Sequence, residues 1–562
     1  MVKQNKTYPY WSIYYDDDGY NIEGDRIMGR QAAGWSFLKA LINDKPKQLS
    51  AYLKNIEQKE LLIKRIKGLL SNDDNLSFEF ISFLEPNKSS KYGGIFLPGP
   101  GIEDFALKRS SFGHDQYSLV GITHTTASNS VMRSLSRLAV SNVMPWDAII
   151  CTSDCVLDTV KKVIDDSYNN LSNKFKIGDP VYPQLPVIPL GIDKDEFIFS
   201  EEFIKESRKD LNISDEDIVV VYVGRLSFHA KAHHLPMYLS LEQCAKELKD
   251  GQKIHIIQTG WFANDWIKET FINEGKLICP SIEFHFLDGK DQNNKYKSLA
   301  SGDIFISLSD NIQETFGITP LEGMASGLPV LVSDWDGYKS TVRDNIDGFR
   351  VKTIMLGNGY GQDLAFNHMM GSLSYDHYVG MSVHRVAIDV NDCINKLVLL
   401  IKDKTKRKKM GESGKQRVNE IFNWPIILKQ YRELSQELNN IRETKSKDYK
   451  EFCSVKLPSE SLDPYYLFES YPSKILQEED ILVKNNKINN LPISNTLKLS
   501  SVSYALDYLP EEEKIIEIYN YFSDNKNLTI KDIRKLCNYT DDILFKTIIL
   551  LIKFGYLSYL EE

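Results

Sequence analysis

The stretch Glu314-Thr-Phe-Gly-Ile-Thr-Pro-Leu-Glu322 sets two carboxylates eight positions apart, across a glycine-marked turn and into the start of an apolar helix. A helix beginning after such a turn directs its free N–H groups and the positive end of its dipole outward, where an anion is the natural occupant. Gly317 lets the backbone come close to that occupant. Glu314 precedes the turn and Glu322 lies about one helical turn beyond it, so each acid can hydrogen-bond a different polyhydroxylated part of one ligand. Taken alone, the spacing also fits a helix with two solvated glutamates. A second charged set, Gly224-Arg-Leu-Ser-Phe-His-Ala-Lys231, comes directly after an apolar run that ends at Val223. There a pair of cations on a strand-to-helix loop can face an anion.

These residues need elements to hold them. Short apolar strands alternate with amphipathic helical stretches, the pattern of parallel sheets covered by helices. Residues 11–15, 78–84, 94–97, 118–123 and 148–152 read as one series of strands, and Gly29-Arg-Gln-Ala-Ala-Gly34 opens a helix through Leu41. A second series reads at 218–223, 253–257, 282–286, 304–308 and 329–332. Two open sheets facing each other make a cleft. Ligands of such sheets bind outside the carboxyl ends of the strands, where both charged motifs fall. Thr123-His-Thr125 and Leu97-Pro-Gly-Pro-Gly101 also lie at the ends of strands of the first series.

Together with the apolar stretch before it, Gly327-Leu-Pro-Val-Leu-Val332 and Asp347-Gly-Phe349 after it, the Glu-x7-Glu motif resembles that of a known family. The family is the retaining nucleotide-sugar glycosyltransferases of family 4 (glycosyl transferases group 1). The resemblance implies an α/β, GT-B fold: two Rossmann-like domains facing across a cleft, an acceptor domain at 1–200 and a donor domain at 201–424, with a crossover helix at 425–445. It implies that Glu314 contacts the donor sugar, that Glu322 binds the ribose hydroxyls, and that backbone N–H groups of Phe316, Gly317 and Ile318 hold sugar and phosphate. Arg225 and Lys231 match the positions that neutralise the departing diphosphate as its charge develops. His124 matches a histidine that bonds a sugar hydroxyl or aligns donor and acceptor, although a lone His is as readily structural. Gly224, Thr259 and Gly260 complete the donor side, with walls from Trp261 and the Gly289-Lys-Asp291 turn. Two features depart from the family: the Arg-to-Lys spacing is one residue longer, and Ala232 stands where glycine is common.

The resemblance further implies a transferase of hexosyltransferase type, moving a sugar from a nucleoside diphosphate to a hydroxyl with retention. The acceptor is a glycan, a lipid-linked sugar, a small molecule or a protein. No metal and no cofactor are expected, the nucleotide sugar being a co-substrate. The alternative is a GT-B-like scaffold without turnover that binds through its C-terminal module.

At 562 residues the chain is too long for one core. A net charge of −9 argues against a broad nucleic-acid surface. No run approaches the roughly 20 apolar residues of a membrane span, and the first ten residues lack the apolar segment of a signal peptide, so a cytoplasmic protein is expected. Seven cysteines read as reduced thiols, and His229, His233 and His234 as polar loop residues rather than a metal set. Residues 351–390 carry extra sequence, either a lid or acceptor loop or a plain surface excursion. Residues 446–510 read as linker and irregular segment. The last part, 511–562, is a small, mostly helical stretch of three helices and a strand that resembles a winged-helix module. Its third helix opens with Asp541-Asp542, so a protein partner or a homodimer is expected there and nucleic acid is not.

Overall fold

Ile218-Val-Val-Val-Tyr-Val223 is apolar at every position, as a strand covered by helices on both faces must be, and all six residues are buried. The same logic runs through both sheets of the protein, whose computed structural model describes residues 10–23, 29–70, 76–176, 181–450, 453, 461–485, 487–523 and 526–560. The chain divides into two compact units, Met1–Pro458 and Ser459–Glu562.

The first unit holds two α/β lobes. Strands β1 (Ser12–Tyr14), β2 (Gln48–Leu53), β3 (Ser77–Ser82), β4 (Gly94–Phe96), β5 (Ser118–Ile122) and β6 (Ala148–Ile150) form a sheet in the order β3-β2-β1-β4-β5-β6. Strands β7 (Ile218–Val223), β8 (Ile254–Gly260), β9 (Ile282–Asp288), β10 (Ile304–Ser307), β11 (Val330–Ser333) and β12 (Gly348–Val351) form the second, in the order β12-β11-β10-β7-β8-β9. Every pairing in both is parallel. Each sheet therefore has one strand, β1 or β7, from which the order runs outward in both directions, the switch point of a doubly wound fold. Strands β2 and β12 lie outside the ten read from the sequence.

Two chain passes join the lobes side by side. Ile192 N–H donates to Phe422 O at 2.8 Å and Trp424 N–H to Ile192 O at 3.3 Å. A side chain at Gly191 would meet the Trp424 ring at 2.6 Å, so only glycine lets the passes touch. The helix Trp424–Lys445 then runs back over the first lobe, with the Tyr431 ring 5.9 Å from Phe96 and Arg442 donating to Gly93 O at 2.8 Å. Ile427 and Leu438 along it are fully buried, each contributing about 1.5–3 kcal/mol by leaving water. Between β12 and the helix Val390–Lys402, the extra sequence forms an antiparallel pair, β13 (Thr353–Met355) with β14 (Val386–Ile388), that carries two helices, Gln362–Met369 and Tyr375–Val383.

The second unit has helices Glu512–Asn520, Ile530–Arg534 and Asp541–Lys553 around an antiparallel sheet ordered β16 (Leu528–Thr529), β15 (Ile481–Lys484), β17 (Leu557–Tyr559). Its middle strand comes from the stretch 446–510, which the sequence reads as linker and irregular; buried Leu482 ties that strand to the core of Ile515, Ile518 and Ile548. Among the described residues no helix is long and apolar enough to cross a membrane.

Candidate functional site

The crevice outside β7 and β10 is where the second sheet reverses direction, and the chain leaves both strands there into charged loops. From β7 it passes Gly224 to Arg225. From β10 it passes Asp310 and Gln313 to Glu314. Gly260, at the end of β8, packs so close that a side chain on it would lie 1.9 Å from Gly224 O. Thr259 holds this corner together: its carbonyl accepts Gly224 N–H at 2.9 Å, and its hydroxyl is bonded to Ser298 Oγ. Both of its polar groups serve the scaffold of the loop.

Arg225 is largely buried, donates to Ala230 O at 2.8 Å and lies 5.9 Å from the Trp261 ring. Burial pulls its guanidinium below its ordinary value, partly offset by Tyr222, Asp376 and Glu314, yet an arginine this basic stays charged. Lys231, six residues on, forms an ion pair with Glu314, the side chains being 20% and 10% exposed. The two residues that the sequence assigns to different parts of a ligand are thus in contact. Burial alone would raise the Glu314 carboxyl, but the Lys231 ammonium and the backbone N–H groups of Phe316 and Thr315 hold it below the usual carboxylate value. The Phe316 N–H is directed at Glu314, and the Phe316 ring is in the core beside Phe422.

Gly317 has φ +83 and caps the helix Ile318–Ala325 with no side-chain bond, so the N–H groups of Ile318 and Thr319 stand at a helix N-terminus that no side chain of the cap residue closes. A β-carbon at 317 would sit 2.0 Å from the Tyr338 ring, so glycine is required here by its neighbour as well as by its backbone angle. One turn on, Glu322 Oε1 accepts from Lys295 Nζ at 2.8 Å. Burial lowers the Lys295 ammonium and Glu322 raises it, with a net rise. The other oxygen, Glu322 Oε2, and Thr319 Oγ1 are both buried with no hydrogen-bond partner among the described residues. Two unsatisfied polar atoms in one helical turn are what a hydroxyl-rich ligand would complete.

Across the cleft, His124 donates to the Pro98 carbonyl; burial, with Arg30 nearby, lowers its imidazole to about 4, so the ring is neutral at pH 7. Its neighbour Thr125 reaches the second lobe through Tyr375, whose hydroxyl is 3.3 Å from Thr125 Oγ1 and 3.0 Å from Gln313 Oε1. Ser153 Oγ, at the start of the helix Asp154–Phe175, donates to Thr315 O at 3.0 Å and also lies 3.4 Å from Asp336 Oδ1. Burial pushes Asp336 up to about 7, with the Glu314 charge adding to it, and burial raises Asp310 likewise to about 7.

The geometry thus gathers Gly224, Arg225, Lys231 and Glu314 into one charged cluster, sets Glu322 and Ile318 on the adjoining helix and places His124 on the facing lobe. Lys295 and Asp336 join them without having been found in the sequence, where a Lys on a helix carries no signal of its own; Thr319 lies within the Glu314–Glu322 stretch and Tyr375 is one of the tyrosines of the extra sequence, neither of them read there as a site residue. His233 caps its helix through Leu235 N–H at 3.3 Å and His234 bonds Glu274 at 2.5 Å. Among the described residues no group of three or more His, Cys, Asp or Glu side chains is placed to hold a metal.

Residues 203–354 match the family model described as Glycosyl transferases group 1. Among curated relatives, a D-inositol 3-phosphate glycosyltransferase of Geodermatophilus obscurus is 26% identical over 172 residues, 30% of this chain and 36% of that one. An alpha-monoglucosyldiacylglycerol synthase of Streptococcus pneumoniae is 28% identical over 207 residues, 36% of this chain and 41% of that one. The chain spans about a third to a half of the length of the curated relatives it matches. Among solved structures, a glycosyltransferase of Rickettsia africae superposes with a TM-score of 0.49 at 14% identity, covering 76% of this chain and 98% of that one. The matched segment 203–354, which carries Arg225, Lys231, Glu314 and Glu322, is similar to the glycosyl transferases group 1 domain.

Proposed function

We propose that the protein is a retaining glycosyltransferase that moves a sugar from a nucleoside diphosphate to a hydroxyl acceptor. One observation carries this reading: at a single switch-point crevice, fixed cations and a helix N-terminus with no side-chain cap lie beside a buried carboxylate oxygen with no partner among the described residues. Cations and helix end suit a diphosphate. The free oxygen of Glu322, with Thr319, suits the hydroxyls of a ribose. The sequence relatives support the same class, since two of them carry the name glycosyltransferase.

In this reading the acceptor oxygen forms its bond to the anomeric carbon on the face that the diphosphate leaves. The acceptor proton passes to the departing phosphate oxygen, and the configuration is kept. Arg225 and Lys231 stabilise the negative charge that grows on the diphosphate, without a divalent metal. Glu314, held ionised by Lys231, orients the sugar. Neutral His124 faces it as a hydrogen-bonding group.

The test begins with unfolding temperature in the presence of UDP, GDP, ADP, TDP or CMP. A ligand at 100 times its Kd stabilises the folded state by about 2.7 kcal/mol, so at least one nucleotide should raise the transition clearly. Turnover of the corresponding nucleotide sugar, with proton NMR of the product's anomeric centre and an EDTA control, tests retention and metal independence. If no nucleotide shifts the transition, the reading fails. For residues 511–562 we infer a winged-helix-like module for protein association, tested by comparing the sedimentation mass of the full chain with that of a 1–458 truncation.

A further inference from the structure

The extra sequence after β12 is a built part of the molecule. Its helices pack on each other through the His368 and Tyr378 rings, stacked 4.3 Å apart and 5° from parallel. Val379 and Val383 of the second helix are buried, and a side chain at Gly380 would come within 3.0 Å of His229 Cβ, so this helix sits on the loop that carries Arg225 and Lys231. Ser374 caps it by accepting His377 N–H at 3.2 Å, which fixes Tyr375 as its first residue.

From there the Tyr375 hydroxyl enters a hydrogen-bond network at the heart of the cleft. It lies 3.0 Å from Gln313 Oε1 and 3.3 Å from Thr125 Oγ1. Gln313 precedes Glu314 and donates its amide to Ala230 O, the same carbonyl that takes Arg225 Nη2 at 2.8 Å. Thr125 comes next after His124 and accepts Ala127 N–H at 3.2 Å, so its hydroxyl is already fixed on the first lobe. One phenol thus joins the loops that bear His124, Arg225, Lys231 and Glu314.

We propose that Tyr375 is a positioning residue for transfer: by bonding Thr125 on one lobe and Gln313 on the other, its hydroxyl sets the separation of the two walls of the cleft. This rests on the glycosyltransferase reading for its catalytic consequence, but not for the link itself. The nucleotide groups gather on the second lobe, so Tyr375 governs the closed geometry of the transfer step and leaves nucleotide affinity to others.

The experiment compares the full-length chain with Tyr375→Phe, Thr125→Val and the double variant. Tyr375→Phe keeps the ring and removes the hydroxyl. Expected are a roughly tenfold fall in kcat, as for one or two lost neutral hydrogen bonds, nucleotide Kd within about twofold, and faster amide exchange by mass spectrometry in both 123–128 and 311–316. The double variant should lose less than the product of the two single effects, because both changes cut the same Thr125–Tyr375 bond, while Thr125→Val also gives up the bond from Ala127 N–H. Unchanged exchange and unchanged kcat in Tyr375→Phe, or independent and multiplying effects of the two substitutions, would overturn the proposal. If no nucleotide sugar turns over in the native chain, the glycosyltransferase reading falls, and the exchange rates of the four proteins still decide whether Tyr375 ties the lobes.

Discussion

Glu322→Gln separates two roles that one side chain can fill. In the structure Glu322 Oε1 is paired with Lys295 at 2.8 Å while Oε2 is buried without a partner among the described residues. If Oε2 and its twin accept ribose hydroxyls, the substitution turns two charge-assisted bonds, worth ~1.5–3 kcal/mol each, into neutral ones worth ~0.5–1.5. The loss is about 2–3 kcal/mol in binding, or roughly 30- to 150-fold in Kd. The substitution also takes from the Lys295 ammonium, whose side chain is 18% exposed, its paired carboxylate, leaving Glu196 as the other acid acting on it. Removing one partner of a buried pair costs about 3–5 kcal/mol; the retained amide oxygen and the residual exposure of Lys295 reduce this to the lower end or below. Calorimetric titration with the nucleoside diphosphate that stabilises the native chain best, repeated with its 2′-deoxy analogue, resolves the two effects. The native chain should discriminate against the deoxy compound, and the variant should discriminate far less. Equal nucleotide affinity in native and variant chains, with a lower melting temperature in the variant, would show that Glu322 serves only to neutralise Lys295.

Arg225→Ala removes a preorganised cation and should cost about 2.7–4 kcal/mol of transition-state stabilisation, a fall of roughly 10² to 10³ in kcat with a folded protein by circular dichroism. Gly317→Ala forces a side chain into φ +83 and into the Tyr338 ring; the melting temperature should drop by several degrees and nucleotide binding should weaken with it. Asp336, raised to about 7 against an ordinary 3.8, binds more protons when folded than unfolded between those values. Its share of stability is therefore full below about pH 4 and is lost as pH rises toward 7. Asp336→Asn should remove that slope, so that the melting temperatures diverge in favour of the variant as pH rises from about 4 to 7 and run parallel above it.

The sequence discloses most where a pattern is local. Continuous aliphatic runs such as Ile218 to Val223 announce buried strands because both of their faces must leave water. The acids at 314 and 322 announce themselves because a turn fixes their spacing. Strand β2, Gln-Leu-Ser-Ala-Tyr-Leu, mixes polar and small residues and lies between helices, so nothing in its own composition demands a sheet; its partners Ile13 and Phe80 do. β15 is a stronger case, since its residues 481–484 become a middle strand only through pairing with chain some 45 and 75 positions further on.

The same distinction governs the site. Arg225 and Glu314 are legible, but their relation is not, because the Lys231–Glu314 pair depends on how the ends of β7 and β10 meet. Tyr375 is less legible still: it reaches the cleft from a stretch equally readable as surface excursion. Its meaning comes from three contacts far apart in sequence, to Thr125, to Gln313 and, through Gln313, to Ala230. Lys295 and Thr319 behave alike in this respect. Lys295 stands in no motif, and Thr319 lies inside the Glu314–Glu322 stretch without being marked by it, yet Lys295 occupies one oxygen of Glu322 and leaves the second oxygen, with the Thr319 hydroxyl, to the crevice. A motif supplies charges; the fold decides which of them are already answered, and the unanswered ones on the helix Ile318–Ala325 are those that the proposed function assigns to a hydroxylated anion.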